Sequence, residues 1–337
     1  MTETAVKMSN DLSIVNAAAR RWLAEGQPLA EATVIETWGS APVGVGGRMI
    51  IANDDAFQGS VSGGCVEADV IALALGVIAD GNPKSMTFGI ADETAWRAGL
   101  PCGCKIRVLV RPMDDDETGK AAEAVRNDRR LRVVATNLQD GSQRLYERAD
   151  GAAGEIATAF ASGSSQIVQS DSGEIFLNVL RPAPRIAIVG ATHVAQILTE
   201  LAKTAGYDVV VVDPRSAFAS VARFDPSTAI TAWPEAEIRD FAADPFTAIV
   251  TLTHVGHIDD EALKIAIRSP CGYVGALGSR KTHADRVARL KTAGFTDAEI
   301  ARIRAPIGLN IGGRSPGEIA VSILAEVVAA FHGKLPA

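Results

Sequence analysis

The sequence predicts an α/β protein in two parts: an N-terminal α/β domain over residues 1–182, followed by a Rossmann-like parallel-sheet domain over residues 183–337. Three features lead there. From residue 185 onward, short apolar runs (RIAIV, YDVVVVD, TAIVTLT, YVGALG) alternate with amphipathic helical stretches. That alternation implies βαβ units and a sheet covered on both faces. Before it, strand-like runs and one long apolar helix surround Gly/Cys-rich loops, a different texture. Between the two lies Arg181-Pro182-Ala183-Pro184, which reads as an extended connector because proline restricts itself and the residue before it. A chain of 337 residues also has room for about two domains.

Taken in order, DLSIVNAAARRWLAE (11–25) spaces its apolar residues as a helix does. ATVIETW (32–38) and RMIIA (48–52) read as strands on either side of the loop GSAPVGVGG (39–47). GSVSGGC (59–65) then runs into the helix CVEADVIALALGVIADG (65–81). MTFGI (86–90) and KIRVLVRP (105–112) are strands separated by ADETAWRAGLPCGC (91–104). From 113 to about 180 the signals weaken: DDDETGKAAEAVRND is helical, LRVVAT (131–136) and EIFLNVLRP (174–182) are strands, and ASGSSQ (161–166) and SDSG (170–173) are turns. In the second part, HVAQILTELAKTAG is a helix stopping at Gly206, DDEALKIAIRS a helix with Asp259 as N-cap, and THADRVARLKTAG and PGEIAVSILAEVVAAF two more.

Hydrophobic residues make up 47% and charged residues 22%, an ordinary globular balance. The net charge of −7 argues against a broad nucleic-acid or anionic-membrane surface while leaving room for a local basic pocket. The N-terminus lacks a basic start followed by an apolar core, and no uncharged apolar run reaches about 18 residues, so neither a signal peptide nor a membrane span is expected. The four cysteines, Cys65, Cys102, Cys104 and Cys271, form no CxxC pair and no disulfide scaffold, so a reduced, cytoplasmic protein is expected.

RIAIVGATHVAQIL has the strand–turn–helix layout of a Rossmann first turn: Gly190 and Ala195 fit the glycine fingerprint, and Thr192 stands at the middle glycine. Asp213 closes the next strand, where a ribose-binding acid stands in that fold. A phosphate at this helix N-terminus, beside His193, is one reading; a Rossmann fold that binds nothing there is the other. His254 and His257, just after TAIVTLT, sit where ligands bind in open α/β sheets, as polar contacts, a solvated loop or a metal pair. Gly278-Ser279-Arg280-Lys281 offers N–H groups, a hydroxyl and two cations to an oxyanion. Pro306 to Gly313 is a glycine-rich loop before the last helix. Cys65, at a helix start where thiols are acidified, is either a soft ligand or a small residue packed under a tight turn. Cys102, beside Gly103, poses the same choice; Cys271 reads as structural.

Together, in this order, GSAPVGVGGRMI, GSVSGGCVEADV, GLPCGCKIRVLV, RPAPRIAIVGATHVA, DPRSAFASVARF, YVGALGSRK and APIGLNIGGRSPGEIAVSILAEVVA resemble the XdhC/CoxI family, the accessory proteins of xanthine dehydrogenase and related molybdenum hydroxylases. The resemblance covers most of the chain outside roughly 113–175. It implies an N-terminal α/β domain, a Rossmann-like domain and a homodimer. It also implies that the protein binds molybdenum cofactor (molybdopterin or its dinucleotide form, with a nucleotide as a further ligand), protects it, assists its sulfuration with a cysteine desulfurase and hands it to an apo molybdenum hydroxylase. On this reading Ser62, Gly63, Gly64, Cys65, Cys102, Gly103, Gly190, Thr192, His193, Asp213, His254, Gly278, Ser279, Arg280 and Lys281 line the cofactor site, Cys65 as a molybdenum contact, with no catalytic residue. Thr192, Cys104 and Asn310 depart from the family pattern. Two other classes stay open: an NAD(P)-dependent oxidoreductase with His193 or His254 as acid–base group, and an assembly adaptor that carries no cofactor.

Overall fold

A computed structural model describes residues 12–89, 105–148 and 153–335. Cys102, Gly103 and Cys104 lie outside the described residues. The chain divides into one unit over residues 1–182 and a second over 183–337.

In the first unit, period-two patterning builds an antiparallel sheet of five strands: β1 (Leu29–Trp38), β2 (Arg48–Ala52), β3 (Phe57–Gly59), β4 (Lys84–Gly89) and β5 (Lys105–Pro112), ordered β3-β2-β1-β5-β4. Successive side chains point to opposite faces. Ala30, Ala32, Val34, Met49 and Ile51 therefore pack on Val70, Ala74 and Val77 of helix α2 (Glu67–Asp80). Leu29, Ile50 and Ala52 face the other way, onto Val15, Ala19 and Trp22 of helix α1 (Leu12–Ala24).

On that second face Glu31, 1% exposed, carries a buried ionic network. Arg48 donates to Glu31, Asn16 and Asp116, and Arg111 donates to Glu31. Asp116 in turn caps helix α3 (Glu117–Asp128) by accepting from the Gly119 N–H at 2.7 Å. Burial pushes the Glu31 carboxyl up; Arg48 and Arg111 outweigh that and hold it at about 2.

The weakly patterned stretch holds a second antiparallel sheet, β6 (Arg132–Asn137), β7 (Gln143–Glu147), β8 (Gln166–Ser170) and β9 (Gly173–Leu180), ordered β7-β6-β9-β8 and packed on helix α4 (Gly154–Ser162). Sequence reasoning found two of its four strands. QRLYE and QIVQS are half-buried or exposed along their length, so they lack the apolar alternation that marks a strand.

The second unit is a six-stranded parallel sheet: β10 (Arg185–Val189), β11 (Asp208–Val212), β12 (Ala229–Ile230), β13 (Thr247–Thr251), β14 (Tyr273–Ala276) and β15 (Ile303–Arg304). Its order, β12-β11-β10-β13-β14-β15, is that of a doubly wound Rossmann sheet, with the direction of winding reversing between β10 and β13. Helix α5 (His193–Thr204) lies on one face with the C-terminal helix, Pro316–Phe331. Their Leu198, Ala202, Ile323 and Val327 meet Ile186, Ile188 and Val250. The opposite face carries α6 (Pro234–Asp240), α7 (Gly256–Ala266) and α8 (Arg280–Thr292), where Ile238, Ile258, Leu263 and Leu290 meet Ala187, Val189 and Ile249. A short α9 (Asp297–Ile300) precedes β15, and the C-terminal helix is α10.

One local expectation fails. Val255, not Asp259, is the N-cap of α7, and Asp259 lies inside its first turn, 1% exposed. Its carboxylate turns back to accept from the Thr253 N–H at 3.3 Å and the Thr253 hydroxyl at 2.6 Å, closing the loop after β13 instead of capping.

Replacing Glu31 with Gln leaves Arg48 and Arg111 short of a buried counter-charge. Urea denaturation is expected to show a loss of about 3–5 kcal/mol. Because the folded value is depressed, the stability Glu31 contributes is fully present above its unfolded value of about 4.3. It is lost as pH falls through about 2; an acid titration of the melting temperature that Glu31→Gln leaves unchanged would contradict this.

Candidate functional site

The GSVSGGC loop is held by the residue that follows it. Glu67 Oε1 accepts from the Ser60 hydroxyl (2.6 Å), the Val61 N–H (3.2 Å) and the Ser62 N–H (2.9 Å). Oε2 accepts from the Ser62 hydroxyl (2.6 Å), the Gly64 N–H (2.9 Å) and the Val66 N–H (3.2 Å). Gly63 donates to the Ser60 hydroxyl oxygen and Cys65 to that of Ser62. The backbone turns with φ of 82° at Gly63 and 115° at Gly64, angles open to glycine and strained for other residues. Thus the amide donors of Ser62, Gly63, Gly64 and Cys65 are already spent within the chain. What the loop presents outward is the exposed Cys65, two residues before α2, beside a largely apolar cleft lined by Pro42, Ser62, Val66, Phe88 and Ile106.

The Rossmann first turn is closed in the same way. Asp213 is fully buried, and its carboxylate accepts from the Ala191 N–H at 2.8 Å, from the Arg215 N–H and from the Arg215 guanidinium. Burial alone pushes this carboxyl up; the hydrogen bonds from Arg215 and Ala191 outweigh it and hold the group below the usual carboxylate range. Arg215 stacks on Phe218 at 3.9 Å, and Arg223 donates to the Ala191 carbonyl and to Gln196. The segment DPRSAFASVARF is therefore a clasp on the turn. Gly190, at φ 107°, has no room for a side chain: a Cβ there would stand 2.5 Å from Thr253 Cγ2. Thr192 caps α5 by accepting from the Ala195 N–H, and His193 is exposed beside it.

The loops after β13 and β14 open on the same sheet edge. His254 is exposed, at φ 61° in the left-handed region where non-glycine residues are uncommon. Ser279 caps α8, Gly278 precedes it at φ 141°, and Arg280 and Lys281 are exposed on its first turn. Beneath these loops Arg286, 2% exposed, donates to the Leu277 carbonyl at 3.1 Å and stands 3.8 Å from Asp259. After β15, Glu326 of α10 accepts from the Gly308 N–H at 2.7 Å and from the Tyr273 hydroxyl. Gly190, Thr192, His193, His254 and Gly278 to Lys281 thus share one edge, whereas Ser62 to Cys65 belong to the first unit. No group of three His, Cys, Asp or Glu that would hold a metal occurs among the described residues. Nor is any described helix long and apolar enough to cross a membrane. Glu67, Arg215, Arg223 and Asp259 escaped sequence reasoning as loop-closing residues; an acid directly after each Gly- or Thr-rich turn is the one signal that marks Glu67 and Asp259.

An antiparallel α/β unit bearing a glycine–cysteine loop, followed by a Rossmann unit with its first turn clasped shut, defines a two-part class of protein. The XdhC Rossmann domain description matches residues 186–327, and the XdhC and CoxI family description matches residues 22–89. The chain belongs to the XdhC and CoxI family. It is 28% identical over 309 residues to a protein of Bacillus subtilis (strain 168) described as a probable xanthine dehydrogenase subunit, covering 88% of this chain and 91% of that one. It is 28% identical over 308 residues to the molybdenum cofactor insertion chaperone PaoD of Escherichia coli (strain K12), covering 90% and 84%. The crystal structure described as a xanthine dehydrogenase from Bacillus halodurans shares the fold over 97% of each chain, with a TM-score of 0.70 at 23% identity.

With both Asp213 oxygens occupied, a fluorescence titration with NADH is expected to show no saturable binding. Saturable binding that Asp213→Ala abolishes, in protein whose circular dichroism is unchanged, would restore the ribose-binding role to this acid.

Proposed function

We propose that the protein is a molybdenum cofactor insertion chaperone. It binds the cofactor as molybdopterin or its dinucleotide form, shields it, assists its terminal sulfuration with a cysteine desulfurase and delivers it to an apo hydroxylase of the xanthine dehydrogenase type. The observation that carries this reading is the near full-length likeness to a protein named for that role, within the same family. The sulfuration step, the homodimer and the cytoplasmic setting rest on the family resemblance.

The residues present fit such a cargo by their chemistry. The cofactor is an anionic, sulfur-rich pterin, so a carrier needs a soft contact and a cationic one. Thiolates are the soft ligands a protein has, and Cys65 is exposed beside a small apolar cleft. Arg280 and Lys281 stand exposed at the N-terminus of a thirteen-residue helix, where the dipole adds to their charge. First-turn N–H groups have no partner inside a helix, so His193 at the start of α5 adds a second donor position on the same edge. Cys102 and Gly103 remain part of the proposed site as sequence neighbours of β5.

Protein purified from molybdate-fed cells is expected to carry both molybdenum and an oxidisable, fluorescent pterin. The double substitution Arg280→Ala with Lys281→Ala is expected to lower both on the order of ten-fold, as loss of charge-assisted bonds to an anion does, and Cys65→Ser to lower molybdenum more than pterin. Wild-type protein with neither cargo would sink the proposal.

A further inference from the structure

We propose that Glu67 is the positioning residue of the thiol site: an internal anion that fills the nest of the GSVSGGC loop and thereby fixes where Cys65 stands. This inference rests on the chaperone reading for its purpose, and on geometry for its substance.

The peptide of Cys65 is bracketed. The N–H before it, of Gly64, and the N–H after it, of Val66, both donate to the same carboxylate oxygen of Glu67. Its own N–H donates to the Ser62 hydroxyl oxygen at 2.9 Å, and that hydroxyl donates to the same Oε2 at 2.6 Å. Three consecutive backbone amides are thus tied, directly or through one hydroxyl, to a single atom. The other oxygen anchors the buried side of the loop, Ser60 to Ser62. A loop with three glycines at positive φ, Gly59, Gly63 and Gly64, has many other conformations available, and fixing it is entropically costly. Six donors converging on one charge select one conformation, because charge-assisted hydrogen bonds are about twice as strong as neutral ones.

The residues so fixed are the exposed ones. Ser60, Val61 and Ser62 are buried and held by packing as well, whereas Gly63, Gly64 and Cys65 are exposed. The carboxylate ties the exposed backbone that carries the thiol. With its nest already filled by the Glu67 carboxylate, the loop is no cradle for a phosphate.

The test is Glu67→Gln, with Ser60→Ala as a milder second variant. A carboxamide has one accepting oxygen and one donating nitrogen, so in either orientation three of the six donors face a donor. Three readouts are taken on the full chain: circular dichroism, the rate of iodoacetamide alkylation at Cys65 followed by peptide mapping, and molybdenum content. Folded Glu67→Gln protein is expected to alkylate at Cys65 several-fold faster than wild type, since the loop that carries the thiol opens. It is also expected to retain molybdenum at the Cys65→Ser level. Ser60→Ala, which keeps the charge and removes one donor, is expected to fall between, and it decides the question should Glu67→Gln not fold. A folded variant with wild-type alkylation and wild-type cargo overturns the proposal. Wild-type protein without cargo refutes the chaperone reading alone, since the alkylation arm still reads whether Glu67 places the thiol.

Discussion

The six hydrogen bonds that converge on Glu67 set a pattern repeated through the chain. A glycine-rich turn bends tightly because it lacks side chains, and in bending it gathers backbone N–H groups that water reaches poorly. Each such donor needs an acceptor. Here the chain supplies its own: Glu67 for GSVSGGC, Asp213 for the first Rossmann turn, Asp259 for the loop after β13 and Glu326 for the loop after β15. At Glu67 and Asp213 the hydrogen bonds received outweigh burial and hold the carboxyl below the usual range, whereas at Asp259 burial prevails and pushes it up. The turns, in return, are held in single conformations. Were any of these acids to leave, several donors would be orphaned together, which is why the four turns and their acids must be understood as units.

This explains which parts of the molecule its sequence makes legible. Strands of the parallel sheet are buried on both faces, so RIAIV and TAIVT announce themselves as unbroken apolar runs, and the helices between them keep a clear apolar stripe. In the five-stranded sheet the alternation at Ala30, Ala32 and Val34 is equally plain, since each face has its own helix. The four-stranded sheet is the opposite case. QIVQS and QRLYE each bury little, and no local pattern distinguishes them from polar loops; only pairing with β9 and β6 makes them strands. The candidate site divides in the same way. Turn positions such as Gly190, Gly278 and Gly64 are visible because a glycine before a helix has a local meaning. The acid that closes each turn is visible only when it is adjacent. Asp213 meets Ala191 from across a whole βαβ step, so it reads as a ribose ligand until the fold brings it home, and Glu326 meets Gly308 from within α10. Asp259 misleads in a subtler way, because its place before EALKIAIRS suits a cap, yet the helix starts earlier and takes it inside.

Filled turns also redistribute the chemistry of recognition. In a Rossmann protein that holds a dinucleotide, the first turn gives its amides to the pyrophosphate and the acid after the second strand gives its oxygens to the ribose. In this chain Asp213 gives them to Ala191 and Arg215, and the Arg215–Phe218 stack lies beside it. The dinucleotide frame is retained as architecture while its acid is turned inward. What stays exposed at the sheet edge is side-chain chemistry, His193, His254, Arg280 and Lys281.

The same reasoning bears on the thiol. A cysteine that must meet a metal centre needs its sulfur at a fixed place, and it needs not to be a general nucleophile. Cys65 has no histidine within its own loop to activate it, and its nearest titratable neighbour in sequence is a carboxylate held ionised by the loop itself. Six donors between Ser60 and Val66 converge on that one carboxylate, so the backbone on either side of Cys65 is fixed by groups of its own loop and by the first residue of the helix that follows it.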